Sequence, residues 1–275
     1  MAAKDTPVSA LEEASTREQR GIQSVEVGGQ LLLALAHHGR PMALKDLARE
    51  AGMVAAKAHP YLVSFSKLGL IEQDKATGWY GLGPLALQLG LMALQQADPV
   101  RAAASVLPEL TLTLGHTVAL ALWGNRGPTI VHLVESPAAV HVNMRLGTVF
   151  SISDTASGRL FAALQPCEAL RALYEQERRQ LRVSLPVWSE FERQLDDIRR
   201  HGLSRSEGSV VAGVSAMSAP VFDHQGQLAL ALIAIGPSAA FDTRWSGAVA
   251  QALLNAAKQV SHRLGHRVTA AEARD

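Results

Sequence analysis

Apolar residues along the first hundred positions recur every three or four residues, the spacing that gathers them on one face of a helix. In SVEVGGQLLLALAHH (Ser24–His38) this places Val27, Leu31 and Leu35 together, with Ser24 as the expected N-cap. Gly28 and Gly29 each weaken such a helix by about 1 kcal/mol relative to alanine, so packing must hold it. After the turn HGRP, ALKDLAREAGM (Ala43–Met53) predicts a short second helix with Leu44, Leu47 and Ala48 inward and Gly52 at its end. AAKAHPYLVSFSKLGLIEQD (Ala55–Asp74) predicts a third helix, with Leu62, Phe65 and Leu68 on one face and Gly69 closing it. Pro60 falls inside that stretch, where a proline removes a backbone hydrogen bond and costs about 3 kcal/mol. Either the helix starts near Val54 and carries Pro60 in its second turn, or His59 is the N-cap and Pro60 takes the favoured first position. The helix-compatible VAAKA favours the earlier start. LIEQDKATGWYGLG then gives a strand, a Lys-Ala-Thr-Gly turn and a short strand around Trp79–Tyr80. Three helices followed by a hairpin make the winged helix-turn-helix plan, in which the third helix enters the DNA major groove.

PLALQLGLMALQQADP (Pro84–Pro99) opens with proline in the first helical turn and carries almost no charge. Leu85, Leu89 and Met92 form a stripe along it, and so apolar a helix needs a partner surface, either the next domain or a second chain. Beyond Pro99 helical and alternating segments mix. VRAAASVLPELTLTLG (Val100–Gly115) predicts a helix, while TVALALW (Thr117–Trp123) and TIVHLVES (Thr129–Ser136) predict strands around the turn GNRGP. AVHVNMR (Ala139–Arg145) predicts a third strand. TASGRLFAAL starts a helix at about Ser157, and further helices fit Glu168–Gln180 and Val187–His201. VSAMSAPVFDHQGQLALALIAIG reads as a β-hairpin joined at DHQGQ, and Thr243–Leu264 as a long closing helix. Antiparallel strands with helices before, between and after them make an α+β domain of the sensor type.

Composition narrows the classes. A hydrophobic content of 48% supports ordinary globular cores, and 275 residues suggest two domains. No run of 18 apolar residues is present, so no membrane partner is expected. The first twenty residues lack a signal-peptide pattern and read as a tail. Cys167 is the sole cysteine, which excludes an intrachain disulfide and fits a reducing cytoplasm. A net charge of +1 neither demands nor forbids a nucleic-acid partner. No G-x-S-x-G, phosphate-loop, C-x-x-C or H-E-x-x-H pattern occurs, and His37 and His38 are adjacent rather than spaced as a helical metal pair. No enzyme activity, cofactor or metal is therefore expected.

From about Gly21 to Gly265 the chain resembles the IclR family of transcriptional regulators. The resemblance runs in order through SVEVGGQLLLALA, PMALKDLAREAGM, KAHPYLVSFSKLGLIEQD and GWYGLGPLALQLG. It continues in RLGTVFSISDTASGRLFAAL, HGLSRSEGSVVAGVSAMSAPVFDHQGQLALALIAIGP and the final helix. It implies an α+β chain with a winged helix-turn-helix domain over 21–83, a dimerising linker helix over 84–98 and a GAF-like α/β effector-binding domain over 99–267. Residues 1–20 and 268–275 are then tails. The implied partners are double-stranded operator DNA near catabolic genes, a small effector, and further copies of the chain as a dimer or tetramer.

The resemblance also carries candidate residues. For DNA these are Lys45 in the second helix, Ala56, Lys57, His59, Tyr61 and Ser64 in the third, and Lys75 in the wing. Lysine attracts phosphate irrespective of sequence, while His, Tyr and Ser can hydrogen-bond base edges or phosphates. Family members typically have small hydroxyl residues before the third-helix histidine and an arginine after it; here Ala56, Lys57 and Pro60 stand there. From Gly21 to Ala97, six Lys/Arg against five Asp/Glu leave +1, short of a basic footprint. A ligand-binding module with weakened or lost specific DNA binding is the alternative reading.

For the effector the implied residues are Met144, Phe150, Ala156, Ser157 and Gly158 on one side, and Ser206, Val214, Ala216, Ile233 and Ile235 on the other. A helix N-terminus at Ser157–Gly158 would present free backbone N–H groups to a carboxylate. Relatives that bind very small acids have polar groups in the hairpin, where this chain has Ser206, Ala216, Ile233 and Ile235. The expected effector is thus an organic carboxylic acid with a sizeable apolar or aromatic body. The isoleucines also suit a plain core, since alternate strand residues face inward. Arg159, beside the turn, either meets an acidic ligand or faces solvent, the commoner place for an arginine.

Overall fold

The computed structural model describes residues 21–138, 142, 144–165, 167–180, 185–208 and 210–267. The two expected tails lie outside the described residues, as do positions 139–141 and 143 of the expected third strand; 142, 144 and 145 are not in a strand. The chain divides into two compact units between Gln96 and Ala97.

The first unit runs α1 (Gln23–His38), α2 (Leu44–Glu50), α3 (Ala55–Leu68), β1 (Ile71–Gln73), β2 (Tyr80–Leu82) and α4 (Pro84–Gln96). Its core is built from Leu31, Leu35, Leu47, Ala58, Leu62, Ile71 and Tyr80. Ser24 is not the cap of α1: the helix begins one residue earlier, after extended Ile22, with no side-chain cap. Gly28 lies where α1 meets α3, and a Cβ there would stand 2.8 Å from Tyr61 Cδ1. Leu68 is 61% exposed, not inward. Ala58, Leu62 and Phe65 define the buried line of α3, and at 3.6 residues per turn Leu68 falls roughly a quarter-turn away from it. α3 starts at Ala55 after extended Val54, so the earlier of the two starts is the one adopted and Pro60 lies inside the helix. Tyr80 also exchanges both backbone hydrogen bonds with Met42 (2.8 and 2.9 Å), tying the hairpin to the segment before α2.

In the second unit five antiparallel strands are ordered β4-β3-β7-β6-β5. They are β3 (Thr117–Gly124), β4 (Gly127–Val134), β5 (Ser204–Glu207), β6 (Val214–Phe222) and β7 (Leu228–Pro237). Strand side chains alternate between faces, so β3, β4 and β7 each feed two cores. Val118 and Leu120 of β3 and Leu230, Leu232 and Ala234 of β7 join α5 (Pro99–Ala104), α6 (Leu107–Leu114) and α10 (Ala248–Arg263) on one face. Ala119, Ala121, Ala231 and Ile233 join α7 (Ala156–Leu164), α8 (Cys167–Gln180) and α9 (Trp188–His201) on the other.

Three expectations are corrected here. The helix over 100–115 is two helices, because Asp98 caps α5 through Val100 N–H and Arg101 N–H while Pro108 starts a new first turn, where its missing N–H costs nothing. β5 was not among the expected strands. The closing helix begins at Ala248 rather than Thr243, since the Asp242 carboxylate accepts from Arg244 N–H and Ala248 N–H and holds the intervening segment as a turn.

Candidate functional site

On α3 the exposed positions Ala56, Lys57, His59, Pro60 and Ser64 form one surface, and Lys45 of α2 is exposed as well. Tyr61 is different. Its ring is partly buried against Gly28 of α1, so its bulk serves the core and leaves the outward surface to its neighbours. Pro60 offers no N–H to the Ala56 carbonyl, and the Pro60 carbonyl in turn accepts the Ser64 hydroxyl at 3.0 Å. The wing is rigidly built: Asp74 Oδ1 accepts from Ala76 N–H, Thr77 N–H and the Thr77 hydroxyl at 2.7–3.0 Å. These bonds, from Thr77 first, hold the Asp74 carboxyl below its ordinary range. Lys75 sits exposed in the wing turn, and Trp79, which sequence reasoning did not single out, is half exposed on the strand side of that turn, its carbonyl accepting from Asp74 N–H.

The turn before α7 differs from the expected open carboxylate site. Thr155 Oγ1 accepts from Gly158 N–H (2.9 Å) and donates to the Ser151 carbonyl (2.6 Å). Gly158 is pressed onto the preceding segment so closely that a Cβ would stand 2.6 Å from Ile152 Cα. A carboxylate already lies on this segment, and it is the chain's own. Glu177 of α8 accepts from the Ser151 hydroxyl (2.9 Å), Ile152 N–H (2.9 Å) and Ser153 N–H (3.3 Å). Ala156 and Ser157 are buried beside it.

Register places the expected sheet residues together. Ser206, Ala216 and Ile235 stand opposite one another across β5, β6 and β7; Ile233 is opposite Ser218 on an adjoining rung, and Val214 is opposite Pro237. Ile233 is core, as are its neighbours on the α7 side, and Met144 and Phe150 pack against that core. A cleft of about 340 Å³ opens at the β5 edge instead, and of the ten expected effector residues Ser206 alone lines it. Its other walls include Arg159 of α7, Asp197 of α9, Arg205 and Glu207 of β5, and Trp245. Arg159 is not a solvated arginine: Nη2 donates to the Asp154 carbonyl (2.9 Å), while Nε is buried with no acceptor. Burial pushes its pKa down against the opposing pull of the Asp154 charge. Arg205 donates from Nη1 to the Thr243 carbonyl (2.8 Å), lies 3.5 Å from Glu207 Oε1 and sits 4.3 Å from the centroid of the Trp245 ring, which also stacks on His201. Period-2 alternation gives a reader no sign of this cleft, because β5 is short and polar and Trp245 arrives from a distant turn.

Comparison with known proteins decides the family. Residues 24–75 match the IclR helix-turn-helix domain, and 91–262 match the bacterial transcriptional regulator IclR C-terminal domain. The chain belongs to the IclR family. It is a ligand-responsive, DNA-binding transcriptional regulator with the α+β architecture expected from the sequence. It is 30% identical over 207 residues to a glycerol operon regulatory protein of Streptomyces coelicolor, covering 75% of this chain and 81% of that one. The crystal structure of Pseudomonas aeruginosa HmgR superposes with a TM-score of 0.84 at 36% identity, covering 90% of this chain and all of the other. The repressor BlcR of Agobacterium tumefaciens shares the fold at 20% identity, with a TM-score of 0.77 over 90% of this chain and 99% of its own. Within this IclR-family frame α3 lies in the matched helix-turn-helix domain, and the cleft lies in the C-terminal domain. Among the described residues no helix is long and apolar enough to cross a membrane, and no group of three His, Cys, Asp or Glu gathers as a metal site.

Proposed function

We propose that this IclR-family regulator controls a catabolic operon in the cytoplasm and that its effector is an organic carboxylic acid held by Arg159. A protein with "glycerol operon" in its name stands among its relatives, which supports a catabolic target. The observation that carries the effector reading is the Arg159 guanidinium. It lines an open cleft, is largely withdrawn from water, and keeps a buried Nε without an acceptor. A buried polar group without a partner is costly, and a ligand carboxylate would satisfy it with a charge-assisted bond. Lys45, Lys57, His59, Ser64 and Lys75 are proposed to meet operator DNA, with Ala56 and Pro60 setting how closely α3 approaches. The chain is further proposed to act as a homo-oligomer through α4, whose residues are all unburied and uncharged.

The test couples both halves. Binding to a duplex from upstream of its own gene should weaken steeply with salt and exceed binding to random duplex. A panel of small carboxylic acids should raise the melting temperature increasingly with concentration and shift that DNA affinity. Arg159→Gln should abolish the thermal shift while leaving DNA binding without effector in place. An effector response that survives Arg159→Gln would refute the assignment.

A further inference from the structure

The cleft at the β5 edge is not a plain anion site. Its lining carries two cations, Arg159 and Arg205, and two carboxylates, Asp197 and Glu207. They are distributed by depth. Arg159 is partly buried and desolvated, and the Arg205 side chain is 35% exposed, held by the Thr243 carbonyl and the face of Trp245. The Asp197 and Glu207 side chains are each 54% exposed. The deeper groups are therefore cationic and the shallower ones acidic, with Asp197 also paired to the exposed Arg200 and Glu207 3.5 Å from Arg205. The volume of about 340 Å³ lies within the range of small-molecule sites, roughly 300–1,000 Å³.

A ligand carrying only a carboxylate would gain the floor arginines but meet two like charges at the rim. A ligand carrying only an ammonium would gain the rim and meet two like charges below. One that bears both groups, with the carboxylate leading, matches both layers. Charge complementarity of this kind discriminates chiefly by penalising the wrong partner. We infer that the cleft takes a small zwitterionic acid, its carboxylate on Arg159 and Arg205 and its amine between Asp197 and Glu207. This inference rests on the carboxylic-acid reading of the same cleft and narrows it.

The probes are glycine, β-alanine, 4-aminobutyrate and 5-aminopentanoate, each against the unsubstituted acid of the same chain length. Titration calorimetry with the full chain is expected to show at least one amine-bearing acid bound about threefold or more tighter than its plain counterpart, a modest ratio because the rim acids are half exposed. In the double variant Asp197→Asn, Glu207→Gln that preference should vanish while the plain acid binds as well as before or better. Arg159→Gln should abolish binding of both. Plain acids that bind as well as the amine-bearing ones to the unaltered chain would overturn the zwitterion and leave the carboxylic-acid reading standing. Binding that ignores Arg159→Gln would overturn both. If no probe binds at all, the zwitterion inference fails, and the DNA-coupled acid panel decides the broader reading alone.

Discussion

Gly28 and Gly29 are adjacent in α1, equally poor helix formers by propensity, and yet opposite in what a methyl group would do. At Gly28 an added Cβ would be 2.8 Å from Tyr61 Cδ1 and 3.1 Å from Phe65 Cζ; at Gly29 nothing lies within 4 Å. Gly29→Ala should therefore stabilise the first unit by about 1 kcal/mol, the propensity gain alone. Gly28→Ala gains the same amount but overpacks a helix interface, which typically costs about 1–3 kcal/mol, so a net loss is expected. Chemical denaturation of the two variants checks the sign of each. At Pro60 the residue-scale question concerns DNA. Its ring is exposed on the α3 surface, at the place where the family resemblance implies an arginine. Pro60→Arg restores the N–H to the Ala56 carbonyl and adds a cation, so it should raise stability and tighten operator binding. The salt slope of log K should steepen by about one. Loss of preference for the operator over random duplex, measured by fluorescence anisotropy, would show instead that the proline shapes how the helix reads its site.

At the scale of elements, α4 is the least satisfied. Leu87, Leu89, Leu91, Met92 and Leu94 are 44–66% exposed, and no charge interrupts them. Their exposure runs around the helix, wider than the Leu85–Leu89–Met92 stripe that spacing suggested, and the homo-oligomer proposed above would cover it. Leu87→Glu combined with Leu91→Glu should lower the oligomer mass in light scattering while the far-ultraviolet dichroism of the chain is kept; an unchanged mass would remove α4 from the interface. The segment leading into α7 shows the reverse case, an element whose Ile152, Ser153 and Gly158 N–H groups are already taken. Its exposed-looking N–H groups are taken by Thr155 and by Glu177, which lies 24–26 residues away in the chain. A local helix-start signal was legible in TASGR; the distant carboxylate that fills it was not, because nothing local marks Glu177 apart from other surface glutamates.

At the scale of the whole molecule, the response of stability to pH can be read from one buried histidine. In the second unit the His116 ring is buried beside Phe241, and Gly236 passes so close that a Cβ would touch the imidazole. Burial lowers its pKa in the folded state, against a weaker opposing hydrogen bond with the Ala240 backbone. The unfolded chain takes up this proton near pH 6.5 and the folded chain only at lower pH, so the unfolded state binds more protons in between. Stability is thus fully present above about pH 6.5 and falls as pH drops below it, at no more than about 1.4 kcal/mol per pH unit from this group. Urea midpoints of the second unit between pH 5 and 8 should show that slope, and His116→Phe should flatten it.

Spacing and motif order were enough for the family, the winged helix-turn-helix order, the strand β3 and the β6–β7 hairpin. Each depends on spacing within one element, or on motifs read in order along the chain. Gly69 as the end of α3 and the DHQGQ turn belong to the same class, since turn chemistry is local. Tertiary structure alone decided that Tyr61 packs on Gly28, that Ile233 is core, and that Arg159 is drawn out of water. It also decided that the open cleft stands at the β5 edge with Arg205 and Trp245 in its walls. The reason is physical: burial, charge depth and cleft shape arise where residues far apart in sequence converge, and the desolvation that makes Arg159 a candidate site exists only once α7, α9 and β5 enclose it.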